Sequence, residues 1–206
     1  DCTAHLIPHP TETYTIGSGK GDYEKAHIPG ADFLDLQQEL SNNTSRFRFT
    51  FPSAEHFSKA IGAHGLSNDN QAILYSTTSP QWATRIWWML RAFGFDNAKV
   101  LDGGLIRWVQ KGYPTSTIPS TYPEQSFTAK PRPGLIIQKS EVLEGIHESN
   151  TCIINALSQE QHIGVGGRTY GRPGRIKDSE NVPTTELIDP ETNEFYPAAV
   201  LSLIHI

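Results

Sequence analysis

Few residues in this chain could act as a nucleophile or hold a metal ion, and most of those stand in poor surroundings for it. The two cysteines, Cys2 and Cys152, each sit at the edge of a strand-like run. A free cysteine there is usually a small buried hydrophobe rather than a reagent. Two cysteines in 206 residues do not make a disulfide framework. His5 and His9 have a spacing that metal sites use, but Pro8 and Pro10 oppose the helix that would put both on one face. No third ligand is evident, and no metal or organic cofactor is expected. Gly164-Val165-Gly166-Gly167 followed by Arg168 has the glycines of a phosphate loop. It lacks both the Gly-Lys-Ser/Thr ending and the strand-to-helix setting, so it reads as a loop. His27, beside Pro29-Gly30, reads as a hydrogen-bonding support for its turn rather than a general base. Trp82, Trp87, Trp88 and Trp108 read as packing residues rather than a ligand cage.

The elements that would position such residues follow from periodicity and caps. Residues 4–22, rich in Pro, Thr, Gly and His, read as a long loop. Pro52-Ser53 opens a helix with Ser53 as N-cap and Phe57 and Ile61 on its buried stripe. Gln71 to Tyr75 is a short apolar run suited to a buried parallel strand, followed by a loop over Thr77-Thr78-Ser79-Pro80. Trp82 to Phe93 is helical, with Trp82, Ile86, Trp87 and Leu90 inward and Gly94 as the stop. Lys99 to Leu101 is a strand, and Asp102-Gly103-Gly104 turns into a short helix. This alternation specifies an α/β fold. Residues 114–134 interrupt it with Pro114, Pro119, Pro123, Pro131 and Pro133 and read as an irregular linker. Ser140 to Ile146 is helical, Thr151 to Asn155 is a strand, and a Gly/Arg loop follows.

Bulk properties narrow the classes. Hydrophobic residues at 37% and charged residues at 19% support a packed core. A net charge of −5 argues against a nucleic-acid or anionic-membrane surface, while leaving room for one local basic pocket that holds a small anion. No run of 18 apolar residues is present, so no membrane span is expected. Few cysteines are compatible with a reducing compartment without establishing one; the compartment is not legible, with cytoplasmic the first expectation and mitochondrial the second. Oligomeric state is not legible.

Three segments together carry a resemblance. Tyr23-x-x-x-His27-Ile28-Pro29-Gly30-Ala31 resembles the N-terminal signature of the rhodanese superfamily. Val100-Leu101-Asp102-Gly103-Gly104-Leu105-x-x-Trp108 resembles the segment after that family's active loop. Arg85 to Gly94 is similar to the helix after the loop in the first domain of tandem thiosulfate and 3-mercaptopyruvate sulfurtransferases. Asn181-Val182-Pro183-x-x-Glu186-Leu187-Ile188-Asp189-Pro190 is similar to the second domain. A weak internal repeat agrees: Asp1 and Asn155 each precede a long loop, and the loops close on the related segments 26–31 and 174–179.

The resemblance implies two tandem rhodanese-like domains with parallel sheets flanked by helices, the second incomplete. The first would occupy 1–113 without its leading strand, 114–138 would link, and 139–206 would be the first half of the second. It implies a sulfurtransferase that moves sulfane sulfur from a small anionic donor, thiosulfate or 3-mercaptopyruvate, to cyanide or another thiophilic acceptor through a cysteine persulfide, with no cofactor. The corresponding loop of the first domain begins at Ser76, whose hydroxyl cannot form a persulfide, so that loop is expected to be silent. By the repeat spacing, the cysteine-bearing loop of the second domain falls past Ile206. Gln161-His162 stand where the family places a substrate-binding arginine, which leaves Arg168, Arg172 and Arg175 as candidates for the anion. Lys177-Asp178 replace the usual Pro-Gly. These departures support an alternative, a non-catalytic rhodanese-fold binding or regulatory module. A phosphatase-like relative with a Cys-x5-Arg loop is a third reading, by fold analogy alone. The chain reads as a fragment cut at both ends, inactive by itself and with a poorly folding second half. The apolar tail 201–206 reads as translated adapter sequence, or else as a genuine strand or helix.

Overall fold

A capping serine followed by apolar residues at helical spacing sets the first long helix, α2 (Ala54–Ala63). The Ser53 side chain accepts from the His56 N–H, and Phe57 and Ile61 are buried. The computed structural model describes residues 1–10, 14–166 and 171–202. Two units form: one from Asp1–Ile7 and Thr15–Leu135, the other built from Ile136 onward.

In the first unit, β1 (Ala4–Ile7) and β2 (Thr15–Ser18) pair antiparallel, with Ala4 opposite Ser18 and Ile7 opposite Thr15. The short helix α1 (Lys20–Lys25) follows. After α2 come β3 (Ala72–Leu74), α3 (Gln81–Ala92), β4 (Ala98–Val100) and α4 (Gly104–Gln110). Strands β3 and β4 are parallel, Ala72 opposite Ala98, so α3 is a crossover helix that must cover the sheet. It does so with Trp82, Ala83, Ile86, Met89 and Leu90, all buried. Phe57 stacks on Phe93 with ring centroids 4.3 Å apart, and Phe127 completes that aromatic cluster. Asp1 and Cys2 lie alongside β3: the Cys2 N–H donates to Tyr75 O at 2.8 Å, and Asp1 O accepts from the Leu34 N–H at 2.9 Å.

The segment 114–135 has no helix or strand of its own, yet it is held along the first unit. Ser116 and His27 exchange two backbone hydrogen bonds, the Gln125 N–H donates to Gly62 O, and the Lys130 and Arg132 N–H groups donate to Phe93 O and Ala92 O. Phe127 is buried. Arg132 forks onto both Asp96 oxygens, at 2.6 and 2.5 Å.

The second unit carries α5 (Lys139–Gly145), β5 (Ile154–Asn155), α6 (Gln159–Ile163), β6 (Glu180–Asn181), a 3-10 turn over Thr184–Leu187, and α7 (Ala198–Leu201). Strands β5 and β6 are parallel. The two units repeat one local geometry. Ile28 to Ala31 forms a turn closed by Ala31 N–H to Ile28 O, with Gly30 at φ +81°. Ile176 to Ser179 forms the same turn, closed by Ser179 N–H to Ile176 O, with Asp178 at φ +59°. After the first turn the Leu34 N–H reaches Asp1 O, and after the second the Val182 N–H reaches Asn155 O. An offset of 148 residues relates Ile28 to Ile176 and Leu34 to Val182.

Three expectations are corrected. Residues 4–22 are not a long loop but two strands and the start of a helix. Gly19 leaves room for the Thr3 carbonyl, which lies 2.3 Å from where a Cβ would stand, and that close approach sets the hairpin against α1. The strand expected over 151–155 is only Ile154–Asn155, and Cys152 is exposed rather than buried. The stretch after Asn155 is not all loop: Ser158 and Gln161 form a capping box that starts α6. The tail residues 203–206 lie outside the described residues.

Candidate functional site

Ser76 stands where β3 ends and the turn into α3 begins, the place where an α/β fold presents a reactive group. Its side chain is turned inward and buried, and its hydroxyl donates to Ser79 O at 2.6 Å. The Ser76 carbonyl accepts from the Leu105 N–H at 3.2 Å. Gly103 and Gly104, both with positive φ, bring α4 onto that carbonyl, so the loop is backed by backbone.

A second set of bonds closes the loop from the N-terminal side. The Thr77 N–H donates to the Thr3 hydroxyl at 2.8 Å, and that hydroxyl donates to Asp1 Oδ1 at 2.5 Å. The Thr77 hydroxyl reaches Asp1 Oδ2 at 3.4 Å. The buried Asp1 carboxylate thus faces the loop. Helix α3 begins at Pro80 with no side-chain cap, so its N-terminus faces this loop. An anion there would meet the Asp1 carboxylate and a hydroxyl already committed to a carbonyl. Among the described residues no histidine hydrogen-bonds to Ser76, whose hydroxyl is given to a carbonyl rather than to a base.

The two cysteines differ. Cys2 is buried beside Tyr75, and burial pushes its thiol up, which suppresses thiolate. Cys152 is exposed, two residues before β5. His27 is fully buried: Nδ1 lies 2.7 Å from Tyr23 O and Nε2 3.0 Å from Ile118 O, and its ring stacks on Tyr23 at 4.0 Å. It ties the turn to the 114–135 segment. His5 bonds Asp22 Oδ2 at 2.7 Å, which makes it a partner of α1.

In the second unit, Arg172 and Arg175 line one cleft of about 660 Å³, together with Asn155, Ala156, Leu157 and Ser179. Arg168 lies outside the described residues. Both described arginines are exposed. The structure adds Lys177 to the same cleft, in exposed contact with Asp178 at 3.8 Å. Sequence reasoning registered Lys177 only as a departure from a pattern. The signal available was the spacing of three cations at 172, 175 and 177 in one loop. Gln161 is used in the α6 cap: its N–H donates to Ser158 Oγ and its Oε1 accepts from the Ser158 N–H, both at 3.4 Å. Cations in the loop beside the end of β5 can hold an anion, while no cysteine is among the described residues that line the cleft.

Comparison with known proteins bears on the family and the fold. The Rhodanese-like domain family matches residues 18–111. Rat thiosulfate sulfurtransferase (Rattus norvegicus) is 30% identical over 185 residues, which cover 85% of this chain and 61% of that protein. Rat 3-mercaptopyruvate sulfurtransferase is 32% identical over 186 residues, covering 88% and 62%. The chain therefore spans about three-fifths of the length of these relatives. The crystal structure of SseA from Escherichia coli, described as a 3-mercaptopyruvate sulfotransferase, is 30% identical and superposes with a TM-score of 0.79 over 91% of this chain and 70% of that one. Tum1 from Saccharomyces cerevisiae superposes with a TM-score of 0.81 at 20% identity, over 91% and 67%, which shows a shared fold alone.

Proposed function

The chain belongs to the rhodanese family, and from that premise we propose that the parent protein is a sulfurtransferase whose working cysteine lies in the second unit, outside residues 1–206. The observation that carries this is the resemblance to sulfurtransferases across both units, joined to a first-unit loop that holds serine in the family's cysteine position. Carried forward by the 148-residue offset, the position equivalent to Ser76 falls past Ile206.

The chemistry is a double displacement. A cysteine thiolate, stabilised by loop N–H groups and the following helix N-terminus, attacks the outer sulfur of the donor. With thiosulfate the S–S bond breaks and sulfite leaves with the electron pair. With 3-mercaptopyruvate the C–S bond breaks, and the carbon takes a proton to give pyruvate. The enzyme then carries a persulfide. A thiophilic acceptor such as cyanide attacks its outer sulfur, and the thiolate is released. Arg172 and Arg175, with Arg168 as a further candidate, supply positive charge for the anionic donor, and Lys177 lines the same cleft.

The closed loop at Ser76 favours a second reading, a non-catalytic rhodanese-fold module. One experiment separates the two: assay the full-length parent for thiosulfate- and 3-mercaptopyruvate-dependent sulfur transfer to cyanide, with and without the cysteine of its second loop. Transfer lost on Cys→Ser supports the enzyme. No transfer, or no cysteine at that position, leaves the binding module. Residues 1–206 alone are expected to transfer no sulfur.

A further inference from the structure

His27 has none of its surface open to solvent, and it is held from two directions. Nδ1 lies 2.7 Å from Tyr23 O, and Nε2 lies 3.0 Å from Ile118 O. Both partners are backbone carbonyls, which only accept hydrogen bonds. A neutral imidazole has one N–H and one bare nitrogen. It could bond one carbonyl, and its lone pair would then point at the oxygen of the other. Only the doubly protonated ring donates to both.

The carbonyls depend on that ring. Tyr23 O lies in the last turn of α1, where a helix leaves its carbonyls without partners of its own. The His27 N–H, which a continuing helix would give to Tyr23 O, goes instead to Ser116 O. A buried carbonyl left bare costs more than the bond it lacks would have gained.

The surroundings favour a cation. A helix C-terminus carries partial negative charge. The Tyr23 ring lies along the imidazole at 4.0 Å, with 16° between the planes, the face-on placement that attracts positive charge. The charged groups nearby in the chain are turned elsewhere: Asp22 bonds His5 and Lys25, Asp32 bonds His64, and Glu24 is exposed. The two phenols are committed as well. Tyr23 OH donates to Ala31 O and accepts from the Ser120 N–H, and Tyr75 OH accepts from the Ile28 N–H. The charge is met by the two carbonyls and the Tyr23 face.

We infer that His27 is an imidazolium in the folded first unit, and that its second proton latches the 116–120 segment onto the turn at 28–31. The segment's other bonds converge on the same pair: Ser116 exchanges backbone bonds with His27, and the Ser120 N–H reaches Tyr23. When the proton leaves, one carbonyl loses its donor. Ile118 O belongs to a stretch without helix or strand, so it is the one that gives way. The latched state binds the extra proton, so the latch tightens as pH falls and loosens as pH rises. This does not depend on the proposed activity.

Ring-nitrogen NMR on the full-length parent, labelled at histidine, tests the inference. His27 is identified by its through-space contacts to the stacked Tyr23 ring, so no variant is needed. The expected result at neutral pH is that both His27 nitrogens carry hydrogen. As pH is raised one becomes bare, and in the same step the Ser116 and Ser120 amides lose about tenfold of their exchange protection, the weight of one hydrogen bond. His64, which loses its proton at about 9, is followed on its own ring signals, so the two steps stay distinct. A bare His27 nitrogen in the folded protein at neutral pH would overturn the imidazolium. Ser116 and Ser120 amides whose protection ignores the loss of the ring proton would overturn the latch.

Discussion

Gly104 lies against the carbonyl oxygen of Ser76, so close that an added Cβ would stand 2.3 Å from that oxygen. Its φ of +53° disfavours a side chain independently. Gly104→Ala should therefore cost about 3 kcal/mol from overlap and backbone strain together. Urea unfolding of the chain measures this. A midpoint within error of the parent sequence would mean that α4 does not press on the loop.

Ser76→Cys, made in a Cys152→Ser background, should give a thiol that reacts with a disulfide reagent far more slowly than exposed Cys152 does in the unmodified chain. The side chain points at Ser79 O from a buried position, and the Asp1 carboxylate opposes a nearby anion. No sulfane sulfur should load from thiosulfate. Rapid labelling together with persulfide formation would show that serine alone silences the loop.

His64 is clamped between Asp32 Oδ2 at 2.7 Å and Glu39 Oε1 at 3.1 Å. Hydrogen bonding to Glu39 raises its pKa, burial opposes this, and Asp32 adds to the rise, to about 9 from 6.5. The raised value means that the folded state favours the proton. The stabilisation is complete below about 6.5 and is lost as pH climbs through about 9, a loss of about 2 kcal/mol. At Glu39, burial works upward but bonding to His64 and to the Asp35 N–H outweighs it, so the net shift is down. That contribution is present above the ordinary carboxylate range and fades as pH falls through the lowered value. His64→Gln should flatten the stability curve between pH 6.5 and 9. An unchanged curve would remove the clamp from the alkaline limb.

In the full-length parent, Arg172→Ala and Arg175→Ala should each raise KM for the anionic donor about 10- to 100-fold with a smaller change in kcat. Either loses one charge-assisted contact of about 1.5–3 kcal/mol. Initial-rate kinetics against donor concentration decide. Unchanged KM in both variants would take the cleft out of donor binding.

Asp178→Gly should stabilise the chain by up to about 1 kcal/mol. Asp178 holds the left-handed position that Gly30 fills in the first unit. Its ion contact with Lys177, at 3.8 Å between exposed side chains, adds little against that. A loss of stability, read from the melting temperature, would show that the aspartate side chain supports the turn.

The long helices were legible because their signals are local. Ser53 caps α2, and Trp82, Ile86 and Leu90 mark α3 at helical spacing. The β1–β2 hairpin was not, since its strands are only four residues each and lack polar alternation, and Thr and Pro between them read as loop. Helix α6 carried a readable signal in Ser158-x-x-Gln161, a capping box obscured by the glycines that follow. At the candidate site, Ser76 was locatable from the order of motifs. The turn of its hydroxyl onto Ser79 is local but has no distinctive residue signal, while the carboxylate behind Thr77 comes from 76 residues away, which no local pattern encodes. Lys177 was hidden for a similar reason: cleft lining is a property of the turn, and the turn type is set by Asp178 at φ +59°.

Phe127 has a consequence for synthesis on the ribosome. It packs edge-on to Phe57 and beside Phe95, within the same core that α2 and α3 build more than thirty residues earlier. The nascent first unit can form its helices as they emerge, but it cannot close its core until residue 127 has cleared the exit tunnel. By then much of the second unit is already being translated. A pause before that point would leave Phe57, Phe93 and Phe95 uncovered and open to chaperones or to other nascent chains.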